Sequence, residues 1–219
     1  QEVALYDSFI QIRYGMNDYE EKNVSPEMKR KLSKALLKSS DIRVNERKWV
    51  LLNYPSLLDA HKANMTTHDF TKFALDVMTV NYQNMHQLIE PLKKLMDKTD
   101  KVRIVAPGTD LTFSIKGMKS IPCTGEKNIP DGELYSAPVK TSVNGKITYN
   151  TPSPYLGNVY HHVSLDFKDG KIIKATCDED DQKLNEIFDT DEGARYVGEF
   201  SLGFNPKILH PMGDILYDE

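Results

Sequence analysis

The strongest constraint on the fold is a change of sequence pattern near residue 100. Before it, two short apolar runs, Phe9–Tyr14 and Trp49–Tyr54, flank a segment with helical periodicity, Pro26–Lys38. Ser25 is a good N-cap and proline suits the first helical turn, so we predict a helix over this segment, with Met28, Leu32, Leu36 and Leu37 marking one face. The order strand, helix, strand is typical of a parallel α/β unit. We expect the second strand, Trp49–Tyr54, to be buried on both faces, as strands between helices are.

Two further helices are expected before the pattern changes. Thr66 and Asp69 are spaced as a capping box, in which each side chain would bond to the other residue's backbone amide. A stripe of apolar residues at three- and four-residue steps then predicts a second helix from Met85 toward Lys98, with Pro91 as a possible kink.

Beyond Lys101 the chain reads as short strands separated by turns. The strand-like runs are 102–105, 111–115, 145–149, 159–167 and 172–177. Asp169-Gly170 predicts a hairpin turn with an exposed tip. The acidic run Asp178–Asp181 predicts the start of a helix, because acidic side chains are favoured at the positive end of the helix dipole. We therefore predict an α/β fold whose first half, residues 1–100, is a partial α/β domain, and whose second half, residues 101–219, is β-rich α+β.

Composition narrows the classes of function. With a net charge of −4 the chain lacks the excess of basic residues typical of nucleic-acid-binding proteins, so we do not expect nucleic acid as a partner. Neither a membrane-spanning apolar stretch nor a secretory signal is recognisable, so we expect a cytoplasmic protein without membrane contact. In that compartment Cys123 and Cys177 are expected to be reduced thiols rather than a disulfide.

The common catalytic motifs do not occur. The sequence holds no Gly-x-Ser-x-Gly elbow, phosphate-binding loop or Cys-x-x-Cys pair. His161 and His162 are adjacent, and on a strand their side chains would point to opposite faces, which argues against joint metal ligation.

Two glutamates are notable for their context. Glu133 follows the turn-forming residues Pro130 and Gly132 and precedes an apolar segment, and Glu199 interrupts a run that otherwise resembles a strand. A carboxylate in such a place needs a partner, which is a structural ion pair or hydrogen bond in some proteins and a functional site in others. The residues themselves leave both interpretations open.

At these residues the sequence resembles the M29 metallo-aminopeptidases, the thermophilic aminopeptidase or aminopeptidase T/S family. The resemblance covers essentially the whole chain, weakly before Lys101 and strongly after it. It is carried, in the family's order, by Pro107-Gly-Thr-Asp-Leu-Thr112, Asn128-Ile-Pro-Asp-Gly-Glu-Leu-Tyr-Ser-Ala-Pro138, Val143-Asn-Gly145, Phe167-Lys-Asp-Gly-Lys171 and Glu192-Gly-Ala-Arg-Tyr-Val-Gly-Glu199.

The resemblance implies an aminopeptidase that removes N-terminal residues from peptides and works as a homodimer. It further implies two divalent metal ions, cobalt, zinc, manganese or magnesium, with Glu133 and Glu199 as metal ligands and residues 101–219 as part of the metal-binding catalytic domain. The family's other ligands, two histidines and an aspartate, and an assisting tyrosine would lie beyond Glu219. We therefore expect an internal fragment that alone binds metal poorly and has little activity.

Two alternatives remain at this point. The chain could be a non-catalytic relative or scaffold that keeps the fold, with both glutamates structural. It could also be a hydrolase that uses Glu133 and Glu199 as a metal-free acid and base, as glycosidases use two carboxylates.

Overall fold

The computed structural model describes residues 2–17, 20, 23–155, 158–212, 214, 216 and 217. The chain forms two compact units. Unit 1 comprises the described residues within 2–80, 125–131 and 207–217, and unit 2 comprises the described residues within 81–124 and 132–206. The domain boundary near residue 100 remains a prediction. The division into compact units instead falls at Val80, before the helix Tyr82–Met96.

The elements alternate in the first part of the chain and are mostly strands in the second. In chain order they are β1 (Ser8–Arg13), α1 (Pro26–Asp41), β2 (Lys48–Asn53), α2 (Leu57–Lys62), α3 (Thr67–Met78), α4 (Tyr82–Met96), β3 (Lys101–Ala106), β4 (Thr109–Ser114), β5 (Ile121–Cys123), β6 (Asn128–Ile129), β7 (Glu133–Ser136), β8 (Asn144–Thr148), β9 (Ser153–Tyr155), β10 (Asn158–Tyr160), β11 (Ser164–Lys168), β12 (Lys171–Thr176), α5 (Asp181–Phe188) and β13 (Phe200–Gly203), with a 3₁₀ turn at Glu2–Leu5 and a π-helical segment at Ile42–Glu46.

Unit 1 contains the predicted parallel arrangement. β1 pairs with β2, and β2 pairs with β6, both in parallel. The predicted burial of β2 on both faces is wrong, because only Leu51 of this strand is fully buried. The apolar stripe of α1 faces solvent within the described part of the chain, with Met28, Leu32, Leu36 and Leu37 each more than half exposed.

The helix starts of unit 1 follow the capping rules. The Ser25 hydroxyl accepts from the backbone N–H of Met28 and so caps α1. Thr66 caps α3 by accepting from the Asp69 backbone N–H, but its hydroxyl then donates to the Asp69 carboxylate, in place of the predicted bond from the cap backbone. The reciprocal capping box lies instead at α2, between Ser56 and Asp59.

Unit 2 is built around a five-stranded antiparallel sheet in the order β12-β11-β8-β4-β3. The predicted Asp169-Gly170 turn joins β11 to β12, and both residues have positive φ, 49° and 87°. The tip is less exposed than expected: Gly170 is buried, and a Cβ there would lie 1.8 Å from the Lys140 carbonyl oxygen. Position 170 therefore accepts only glycine.

The core of unit 2 lies where one face of this sheet meets its helices. Ile89 and Met96 of α4, Leu184 of α5 and the buried side chains of β4 and β11 form one cluster. α5 begins at the predicted acidic run, with Asp180 as N-cap accepting from the backbone N–H groups of Gln182 and Lys183. Cys123 and Cys177 form no disulfide within the described part of the chain.

The helices of the described ranges are short. The longest, α1, has 16 residues, and none combines the length and apolar character needed to cross a lipid bilayer.

Candidate functional site

Glu133 begins the central strand of a second, three-stranded antiparallel sheet in unit 2. The strand order is β13-β7-β5, which places Glu133 between Gly203 of β13 and Cys123 of β5. The residue is 6% exposed. A carboxylate is costly to bury unless hydrogen bonds or opposite charges compensate it.

Gly132 determines how β7 approaches β13. Its φ is 139°, a conformation that residues with a Cβ rarely adopt, and a Cβ there would lie 2.7 Å from the Cβ of Asn205. Its carbonyl oxygen accepts from the backbone N–H groups of Phe204 and Asn205. The glycine thus allows the chain just after β13 to close over the start of β7, next to Glu133.

Ser201 of β13 holds the Glu133 carboxylate. Its hydroxyl donates to Glu133 Oε2 at an oxygen–oxygen distance of 2.5 Å. Hydrogen bonds to a carboxylate are shorter and stronger than neutral ones, so this contact restricts the rotamer of Glu133.

Glu199 lies one residue before β13 and is close to Glu133 in electrostatic terms. Burial raises the pKa of Glu199, and the negative charge of Glu133 raises it further. Among the described residues neither carboxylate forms an ion pair with a lysine or arginine. The structure therefore places the two predicted acids within electrostatic range of each other across 66 residues of sequence, with Glu133 buried and Glu199 exposed to solvent.

Tyr135 lies two residues after Glu133 on β7, and its pKa is affected by the same two carboxylates. Burial is the main cause of its raised pKa, and Cys123, Glu199 and Glu133 contribute to it. Its phenol is therefore neutral at physiological pH and available as a hydrogen-bond donor.

The arrangement is compatible with either a proton or a cation between the two acids. Two neighbouring carboxylates without a basic partner repel each other, and either a shared proton or a bound cation relieves that repulsion. The described residues contain no group of three or more histidine, cysteine, aspartate or glutamate side chains able to hold a metal ion. Glu133 and Glu199 could thus supply two ligands but not a complete coordination shell.

The two adjacent histidines lie elsewhere in unit 2 and not on a strand. The predicted strand 159–167 breaks after Tyr160, and His162 has a φ of 48°. Each histidine pairs with its own acid: His161 Nδ1 is 2.5 Å from Glu179, and His162 Nδ1 is 2.6 Å from Asp178. These exposed pairs link the histidines to the segment before α5. The expectation that the two side chains lie on opposite faces of one strand is therefore wrong, because neither residue is in a strand.

Sequence reasoning missed Ser201 and Tyr135 as neighbours of the acids. Serine and tyrosine are common in strands, so neither residue stands out locally. The alternation of β7 was the one available signal, because it places Glu133 and Tyr135 on the same face of the strand.

Comparison with known proteins places the chain in a family. The model of the family described as "Thermophilic metalloprotease (M29)" matches residues 8–219. The aminopeptidase AmpS of Bacillus subtilis (strain 168) is 30% identical over 129 residues, which is 55% of this chain and 31% of AmpS. Aminopeptidase 2 of Geobacillus stearothermophilus is 39% identical over 75 residues, 34% of this chain and 18% of the relative. The aligned regions thus span a third or less of these relatives.

A solved structure agrees with this assignment at the level of the fold. Wild-type AmpT from Thermus thermophilus superimposes with a TM-score of 0.80 and 18% identity, covering 96% of this chain and 60% of AmpT. This similarity supports the predicted α/β fold class, and together with the match over nearly the whole sequence it means that the chain belongs to the M29 family of metallopeptidases.

Proposed function

We propose that this chain forms part of a metal-dependent aminopeptidase that releases N-terminal amino acids from peptides, with Glu133 and Glu199 as ligands of a two-metal centre. The observation that carries the proposal is a pair of neighbouring carboxylates, neither paired with a basic side chain among the described residues, in a chain of a metallopeptidase family. The aligned relatives are named as aminopeptidases, which supports peptides as the substrate class.

The two acids would contribute differently to the centre. Glu133 is buried and held by Ser201, so it would be a preoriented ligand. Glu199 is exposed and would be the less constrained ligand, and a bound cation would oppose the rise in its pKa that burial and the charge of Glu133 cause. When bound, two divalent ions would supply a nucleophile at neutral pH and polarise the scissile carbonyl.

Residues outside this pair would have to complete the centre. Two carboxylates are fewer donors than a stable transition-metal site needs, so we propose that the complete enzyme supplies further ligands and that this chain alone is weakly active or inactive. We also propose, from the family resemblance, that the enzyme is a homodimer of the cytoplasm. Sedimentation of the purified full-length protein and cell fractionation test these two points.

The test is hydrolysis of leucine anilide by the full-length protein, with and without a chelator. Glu133→Gln and Glu199→Gln should each abolish chelator-sensitive hydrolysis, because an amide is a poor cation ligand. Glu192→Gln, at an exposed glutamate in the same segment, is the matched control and should retain activity. Chelator-resistant hydrolysis that still needs both glutamates would overturn the metal proposal in favour of a metal-free acid and base.

One observation favours a second candidate, a non-catalytic relative that keeps the fold. Within the described residues the ligand set stops at two carboxylates. Absence of hydrolysis in the full-length wild type, with or without added metal, would favour this candidate.

A further inference from the structure

The segment 189–199 joins α5 to β13 and ends at Glu199. Apart from an isolated β-bridge between Tyr196 and Lys171, it contains no helix or strand. Gly198, just before Glu199, lies in open space, since a Cβ added there would have no other atom within 4 Å. The position of Glu199 therefore depends on how the chain is anchored on either side of it.

The Glu199 carboxylate is not held directly. No hydrogen bond from the residues that the structure describes reaches it, whereas the Glu133 carboxylate accepts one from Ser201. Phe200 anchors the chain after Glu199, because its ring packs edge-on against Phe113 with the ring centroids 5.0 Å apart. An anchor before Glu199 is also needed to fix its direction.

Arg195 provides contacts of this kind four residues before Glu199, and its side chain is only 16% exposed. Its Nε donates to the Asp189 carboxylate at 2.7 Å, its Nη2 to Asn185 Oδ1 at 3.2 Å and its Nη1 to the Ile172 carbonyl oxygen at 3.3 Å. The Arg195 carbonyl oxygen accepts from the backbone N–H of Ile172 at 2.9 Å. One residue thus ties the segment to both α5 and β12.

The two elements that Arg195 contacts are themselves fixed in the core of unit 2. Leu184 of α5 and Ile172 and Ala175 of β12 belong to its buried cluster. The Asn185 amide donates to the Ala175 carbonyl oxygen at 3.0 Å, so this acceptor of Arg195 is held as well. A planar guanidinium donates several hydrogen bonds in fixed directions, which a lysine ammonium does not reproduce.

We propose that Arg195 is a positioning residue for Glu199: it anchors segment 189–199 to α5 and β12 and thereby orients the Glu199 carboxylate for metal binding. The inference rests on the proposed function and adds a residue that prepares the metal site without contacting the metal. Residues that orient metal ligands typically contribute about ten- to a hundredfold to metal affinity. The effect of Arg195 passes through Glu199, and this makes it testable.

The test is a double-mutant cycle on zinc binding by the metal-free full-length protein, measured by calorimetry. We expect Arg195→Met to weaken zinc binding about tenfold in the wild-type background, and by less than about twofold when Glu199→Gln is already present. Arg103→Met is the matched control. The Arg103 guanidinium also donates two hydrogen bonds of 2.8 Å to a carboxylate, that of Asp110, and its loss should leave zinc affinity unchanged.

Two further readouts separate orientation from general stability. The visible absorption bands of the cobalt-loaded protein should change in Arg195→Met and remain as in the wild type in Arg103→Met. Hydrogen exchange of the metal-free protein should be faster at the backbone amides of residues 193–199 in Arg195→Met only. If the methionine variant does not fold, Arg195→Lys takes its place, because it keeps the charge beside Asp189 and loses the planar guanidinium.

The outcomes distinguish this proposal from the proposed function. An equal loss of zinc affinity in both backgrounds, no loss in the wild-type background, or unchanged exchange of residues 193–199 would overturn the role of Arg195. In each of these cases, weaker zinc binding by Glu199→Gln alone would leave the proposed function standing. Undiminished zinc binding by Glu199→Gln would overturn the ligand role of Glu199 and, with it, the positioning role of Arg195.

Discussion

Replacing Asp97 with asparagine should lower the free energy of unfolding by about 1.5 kcal/mol at neutral pH. Asp97 ends α4, and its carboxylate accepts from Lys93 Nζ at 2.6 Å and from the hydroxyl and backbone N–H of Ser120 at 2.6 and 3.0 Å. These bonds tie the end of α4 to the segment before β5.

The hydrogen bonds from Lys93, and then those from Ser120, lower the pKa of Asp97 from 3.8 to about 2. A difference of this size corresponds to about 2.5 kcal/mol, which we reduce to about 1.5 because the side chain is 38% exposed and water screens the charge. Because the pKa of Asp97 is lower in the folded than in the unfolded state, the ionised carboxylate stabilises the fold at any pH well above 3.8. This contribution is lost as the pH falls from 3.8 toward 2.

The assay is urea unfolding of wild type and Asp97→Asn at pH 7 and pH 3. The difference between the two proteins should fall to about half at pH 3, where the unfolded state has mostly bound its proton and the folded state has not. Glu90→Gln removes a negative charge from the middle of the same helix and is the control for net charge. An equal difference at both pH values, or none at pH 7, would refute the assigned role of the carboxylate.

Three further predictions concern the sheet that carries Glu133. Gly132→Ala should destabilise the fold by about 2 kcal/mol or more in urea unfolding, since its φ of 139° and the 2.7 Å approach to Asn205 exclude a Cβ; a loss below about 0.5 kcal/mol would contradict this. Leu134→Ala should cost about 2–5 kcal/mol by the same measurement, because the side chain is fully buried, and a smaller loss would mean that the site collapses. Ser201→Ala should weaken zinc binding to the full-length protein about tenfold in calorimetry, with recovery in Ser201→Thr, and equal affinity in all three proteins would remove the orienting role of Ser201.

The features that could be predicted from sequence depend on local geometry. Ser25 and Asp180 cap the helices that they precede, and Asp169-Gly170 forms the hairpin turn, because each depends on a few consecutive residues. The predicted strand through His161 failed for the opposite reason. His161 pairs with Glu179 and His162 pairs with Asp178, which are 16 to 18 residues further along the chain. The chain leaves the strand conformation at His162, and the apolar pattern of residues 159–167 does not indicate this.

The candidate site could be predicted even less from local sequence pattern, because it depends on contacts between residues distant in sequence. Glu133 and Glu199 come within electrostatic range because β7 pairs with β13, and Gly132 allows Asn205 to approach the start of β7. No periodicity within either segment indicates which strand it will join, so the two acids were linked by family resemblance and not by pattern. Ser201 was missed because its role exists only once the strands are paired.

The most direct test of Glu133 and Glu199 as metal ligands is a calorimetric titration of the metal-free full-length protein with zinc. We expect about two ions bound per chain in the wild type, a large loss of affinity in both Glu133→Gln and Glu199→Gln, and wild-type binding in Glu192→Gln. Undiminished zinc binding in both site variants would contradict the assignment of these glutamates as metal ligands.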